Sequence, residues 1–120
     1  MVINAYAVPG VPLKHIRLED EKIKLKGQRI LALCCQYFGT NVDTVLIKKS
    51  RGGNELKTKK YYYYLLNTEL GLSGWFIIKH KLSRNTKRNI TEHINDIKDK
   101  ISIKDSETIK ILEELKSYMK

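Results

Sequence analysis

LSGWFIIKHKLSRNTKRNITEHINDIKDK, residues 72–100, separates two architectures for this chain, a helix-turn-helix and a plain helical bundle. Two apolar-periodic segments flank a polar break at KLSR, which predicts a helix from roughly Ser73 to His80 and another from Asn85 to about Lys100. In the second, Ile90, Ile94 and Ile97 recur at helical spacing and form a buried face, leaving Thr86, Lys87, Arg88, Thr91 and Asn95 outside. Those side chains are of the types that touch phosphates and base edges. They gather toward the N-terminal half, the half that enters the major groove in helix-turn-helix proteins. The pair therefore reads as a helix-turn-helix, although its turn lacks the glycine of many such motifs. A plain amphipathic helix of a bundle would show the same isoleucines, so the motif has to be weighed with the rest of the chain.

Outward from this stretch, the apolar residues keep helical spacing and proline is absent from Glu21 onward. A helix from about residue 22 to Phe38 presents Ile30, Leu31, Cys34, Cys35 and Phe38 as a buried stripe, and Gly39 suits its C-terminus. A short helix from about Val42 to Lys48 is capped by Asn41 and buried through Val42, Val45 and Leu46. Residues 50–54 form a loop by composition, and a third helix runs from about Glu55 to Glu69, ended by Gly71. A last helix spans Asp105 to Tyr118, with Ile109, Leu112, Leu115 and Met119 on one side. Pro9, Gly10 and Pro12 make residues 1–21 an extended N-terminal arm, and residues 22–120 a single helical domain. The fold class is all-α: a compact bundle of five to six helices containing the helix-turn-helix. The last helix reads as packing inward, so a monomer is expected rather than a dimer.

The 120 residues carry a formal charge of +10, which points to a polyanionic partner. The excess is concentrated. Residues 48–88 hold eleven Lys or Arg, namely Lys48, Lys49, Arg51, Lys57, Lys59, Lys60, Lys79, Lys81, Arg84, Lys87 and Arg88, against Glu55 and Glu69 alone. Within this third of the chain, Tyr61 to Tyr64 sweep nearly a full helical turn at about 100° per residue, so some face the core and others face out. An outward tyrosine beside Lys57, Lys59 and Lys60 could hydrogen-bond a phosphate oxygen.

The order of these parts resembles the C-terminal DNA-binding domain of the bacterial replication initiator DnaA over about residues 24–118. QRILALCCQYFG is similar to the family's opening helix, NVDTVLIKKSRGG to its short helix and basic loop, LKTKKYYYYLLNTELGLS to its long helix, and RNITEHINDIKDKI to its recognition helix. The resemblance implies that Arg51 enters the minor groove while Lys49 and Lys57 hold the backbone nearby. The family's Arg-Asp-His-Ser/Thr-Thr signature is replaced here by Asn85, Thr86, Lys87, Arg88 and Asn89, so the initiator's own box is not the expected target. Lysine and arginine at those positions suit guanine edges or phosphates.

Other classes find less support. RGGNELKT lacks the spacing of a phosphate-wrapping P-loop, and no Ser, Cys, His and carboxylate fall into a nucleophile pattern, so neither a nucleotide cofactor nor catalysis is expected. A metal-dependent nuclease would want clustered carboxylates, which the basic third lacks. Cys34 and Cys35 are adjacent and read as reduced core residues, while His15, His80 and His93 are too dispersed for a zinc motif. MVINAYAVPGVP has no signal-peptide pattern and no stretch approaches the ~20 apolar residues of a membrane span, so a cytoplasmic, nucleoid-associated protein is expected. A membrane-surface role would concentrate the basic residues on one amphipathic helix, whereas here they spread over loops and several helices.

The sequence thus predicts sequence-specific binding of double-stranded DNA, in replication initiation or transcription regulation. Arg51 is assigned to the minor groove and Lys87, Arg88, Thr91 and Asn95 to the major groove. Lys48, Lys49, Lys57, Lys59, Lys60, Lys79 and Lys81 are assigned to phosphates, with Arg84, Asn85 and Thr86 completing the interface. Other replication or regulatory proteins are candidate partners. The alternative is a protein-interaction adaptor whose basic surface binds an acidic partner.

Overall fold

Six helices make up the regular structure of the chain in a computed structural model that describes residues 13–46 and 53–119; among these residues there is no strand. They are α1 (Leu13–Phe38), α2 (Val42–Leu46), α3 (Gly53–Leu70), α4 (Gly74–Lys79), α5 (Lys87–Ser102) and α6 (Ser106–Tyr118). The protein is an all-α bundle, as its apolar spacing predicts.

The first helix corrects one boundary. It begins at Leu13 rather than near residue 22, so residues 13–21 are helical and only residues 1–12 of the expected arm remain, outside the described residues. Prolines at 9 and 12 restrict the chain no further than the first turn of a helix that follows them, and nothing in LKHIRLEDEK opposes helix. At its other end Gly39 takes φ 68°, and the amide of Thr40 donates to the carbonyl of Cys35 at 2.8 Å. This is the left-handed C-terminal turn that glycine adopts without strain.

The third helix is the axis of the bundle, packed against α1, α2 and α5. Enclosure on several sides explains why Tyr61, Tyr62, Tyr63, Leu65 and Leu66 are all buried although they follow one another around the helix. None of the four tyrosines is exposed, Tyr64 being half-buried, so the expected outward tyrosine is not found. Tyr61 stacks on Phe38 of α1 with ring centroids 5.4 Å apart. α2 contributes Val45 to the core, whereas Val42 is exposed. α6 packs on α1 and α5 through Thr108, Ile111, Leu112 and Leu115. Its Glu114 accepts a hydrogen bond from the Tyr37 hydroxyl at 2.6 Å, which pushes the Tyr37 pKa up to about 12.

Cys34 and Cys35 are free thiols in the core. Burial pushes Cys34 up to about 12, with adjacent Cys35 adding to the rise. No helix among the described residues is long and apolar enough to cross a membrane.

Candidate nucleic-acid interface

The candidate interface centres on the connection between α4 and α5, residues 80–86. α4 starts on Ser73, whose hydroxyl accepts from the amide of Phe76, and ends in a tight double turn. Lys81 donates to the Ile78 carbonyl at 2.9 Å and Leu82 to the Ile77 carbonyl at 3.0 Å, with Lys81 at φ 59°. That is a Schellman ending in which a lysine occupies the left-handed position usually given to glycine. Ile77 and Leu82, the two apolar residues that bracket such an ending, are both buried. The turn that carries no glycine in the sequence is therefore made anyway, at the strain of one left-handed lysine.

The tyrosine helix holds this turn in place. The Tyr62 hydroxyl donates to the Leu82 carbonyl at 2.6 Å, and Tyr63 and Ser83 share a hydroxyl hydrogen bond of 2.7 Å. Ser83 also accepts from the Asn85 amide at 3.0 Å. Burial raises the Tyr62 pKa well above the usual phenol range, so its proton stays available for donation. From the opposite side α1 closes on the turn at Gly27, where an added Cβ would come within 2.7 Å of the Leu82 side chain.

The entry to α5 uses two residues that the sequence had placed in the interface. Asn85 is buried, and its side-chain oxygen accepts from the Thr86 amide at 2.9 Å and from the Asn89 side chain at 3.0 Å. Thr86 is the N-cap, accepting from the Asn89 amide at 3.2 Å. Asn85 is thus a structural residue and not a DNA contact, and the Thr86 hydroxyl is engaged in capping the helix. α5 then proceeds as its pattern predicts: Ile90, Ile94 and Ile97 are buried, and Lys87, Arg88, Thr91 and Asn95 are exposed. Arg88 pairs with Glu92 one turn on at 3.2 Å, both side chains lying mostly in solvent, where such pairs contribute little. Thr91 donates its hydroxyl to the Lys87 carbonyl at 2.9 Å. α4 crosses α5 closely here, since a Cβ on Gly74 would lie 3.1 Å from the Thr91 hydroxyl and 3.2 Å from the Lys87 carbonyl.

The basic residues separate into groups that the sequence did not distinguish. Lys79, Lys81, Arg84, Lys87 and Arg88 are exposed on α4, the turn and the first turn of α5, along a segment with no carboxylate from residue 70 to residue 91. Lys57 and Lys60 instead meet carboxylates, Lys57 at 3.5 Å from Glu107 and Lys60 at 2.8 Å from Asp96. Lys59 is buried on α3, and its desolvation lowers its pKa despite nearby Glu55. Its assignment to a phosphate contact is therefore corrected, because the residue is only 2% exposed and so does not offer its side chain to a DNA backbone as its neighbours do. Lys48, Lys49 and Arg51 lie outside the described residues.

Two further features escaped the sequence reading. Tyr62 and Tyr63 position the turn, and the aromatic pair Trp75 and Phe76 stands exposed on α4. Burial of the turn's backbone partners leaves no local sequence signal, whereas two adjacent aromatics on a six-residue helix could have been flagged as more than the core can absorb. No family model matches this chain, and neither the curated proteins nor the solved structures searched include a significant match.

Proposed function

We propose that the protein binds double-stranded DNA sequence-specifically, with α4 and α5 acting as a helix-turn-helix. The observation that carries this reading is α5 itself: three buried isoleucines fix its orientation, and its N-terminal half turns Lys87, Arg88 and Thr91 to solvent beside the basic turn, with Asn95 exposed one turn after Thr91. A helix of sixteen residues, about 24 Å long, offers its first two turns to a major groove about 12 Å wide. Lysine and arginine there can donate to the acceptors on guanine, Asn95 can pair with adenine, and the threonine methyl can meet a thymine methyl. Lys79, Lys81 and Arg84 would hold phosphates on either side, a positioning role that carries no sequence information. The basic run Lys48, Lys49 and Arg51 completes the proposal as a minor-groove element, on the strength of its sequence alone.

The wider role, in replication initiation or transcription regulation, rests on the resemblance to the DNA-binding domain of DnaA. Selection from random duplex DNA, followed by titration of the enriched and unselected pools at several salt concentrations, tests the reading. An enriched motif bound far more tightly than the random pool supports it, with log affinity falling linearly in log salt. Binding without enrichment would remove the specificity, and absence of binding at low salt would leave the acidic-partner adaptor.

A further inference from the structure

The outward face of α4 is aromatic, and the bundle gives it no reason to be. Gly74 and Ile77 are buried, while Trp75, Phe76 and Ile78 are exposed, Trp75 to 52%. The Trp75 and Phe76 rings meet edge to face with centroids 4.9 Å apart. Above them the Lys79 ammonium stands 5.1 Å from the Trp75 centroid and 5.8 Å from that of Phe76. Contiguous exposed rings of this size mark a surface that is covered by something else. The charge beside it favours an anionic cover, since Lys79 stands over the rings, Lys81, Arg84, Lys87 and Arg88 follow in sequence, and residues 70–91 include no carboxylate.

We propose that this face binds single-stranded nucleic acid, with Trp75 and Phe76 stacking on unpaired bases and Lys79 and Lys81 holding the flanking phosphates. The location rests on the DNA-binding reading above and adds a second form of nucleic acid to it: the close crossing at Gly74 sets the aromatic pair beside the basic start of α5. Flat π faces next to mobile ammonium groups are the combination that strand-binding proteins use without regard to sequence. Lys79 moves from the rings to a phosphate while a base takes its place. The size agrees, because six helical residues span about 9 Å, close to two or three stacked bases at about 3.4 Å each. An acidic peptide would satisfy the charge, but its carboxylates offer no aromatic face to stack on the rings.

Trp75 is the sole tryptophan of the chain, so its fluorescence reports directly on this face. The experiment titrates the full chain with an oligothymidylate of about 15 nucleotides, a length on the scale of one strand-binding site, with the same strand annealed to its complement, and with polyglutamate. Quenching by the single strand alone is the expected result. By anisotropy of a labelled strand, Trp75→Ala should weaken single-strand binding roughly tenfold and leave duplex affinity unchanged. Phe76→Ala, which keeps the fluorophore, should weaken the quenching. Unchanged single-strand affinity in both variants overturns the proposal, as does equal quenching by polyglutamate, which would assign the face to an acidic protein. Duplex binding without single-strand quenching sinks this inference and leaves the duplex reading standing; loss of both sinks both.

Discussion

The phenolic hydroxyl of Tyr62 reaches across twenty residues of sequence to donate to the main-chain carbonyl of Leu82, at 2.6 Å and away from water. A core helix thereby fixes the turn ahead of the proposed recognition helix. Removing the hydroxyl leaves the ring packed and a buried carbonyl unsatisfied, which costs about 1–3 kcal/mol. Tyr62→Phe should therefore lower the urea midpoint by that amount of stability, and amide exchange in residues 80–86 should rise more than in α6.

Lys81 holds a left-handed conformation that costs an L-residue roughly 1–2 kcal/mol, against about 0.5–1 kcal/mol of extra backbone entropy lost by a glycine. The difference favours glycine. Lys81→Gly should stabilise the fold by about 0.5–1 kcal/mol while it removes one cation, so duplex affinity should fall alike for all sequences and the salt slope should flatten by about one. A variant more stable in urea and weaker on every duplex is the expected outcome.

His93 stacks on Tyr63 with centroids 5.8 Å apart. Its pKa is lowered from the ordinary 6.5 by burial first, with the charges of Lys60 and Lys59 adding to the fall and those of Asp96 and Glu92 opposing it. The Lys60 hydrogen bond is the main cause that lowers Asp96 below its ordinary 3.8. In both cases the unfolded chain binds the proton more readily than the folded one. Stability is thus fully present above 6.5, falls as the pH drops through 6.5 toward the folded value of His93, and falls again below 3.8. Urea midpoints measured against pH should show both declines, and His93→Gln should remove the upper one only.

Much of this arrangement was legible because each signal is local. Ile90, Ile94 and Ile97 announce the inner face of α5, and Gly39 and Gly71 mark the ends of α1 and α3, both with positive φ. Lys59 was illegible for the opposite reason. In LKTKKYYYY it looks like its neighbours, and only the packing of α3 on several sides at once decides that it turns inward while Lys57 stays in solvent. The same enclosure defeats any stripe reading of the tyrosines, since a helix surrounded by others has a narrow polar face. Asn85 and Thr86 are of residue types equally suited to a cap and to a DNA contact, and here the backbone claims them first.

Arg88 tests the proposed division of labour. Among the described residues its guanidinium pairs with Glu92, itself exposed, and it gives up that contact on meeting a base. Arg88→Ala should relax preference at a few base pairs, with a loss of about 1–3 kcal/mol of discrimination, and it should alter general affinity less. Comparison of its selected motif with that of Lys81→Gly settles the matter: if both variants lose specificity to the same degree, the assignment of one to bases and the other to phosphates is wrong.

Cys34 and Cys35 carry a consequence of a different kind. Only a thiolate is alkylated at a useful rate, and these two neighbouring sulfurs are kept protonated and out of solvent by the same packing that joins α1 to the bundle. An alkylating reagent added to the native protein must wait for the chain to open. Where the chemistry outpaces reclosing, the labelling rate counts how often the molecule comes apart. The pair is a stopwatch wired into the core, already in place for timing how each substitution proposed above changes the life of the folded state.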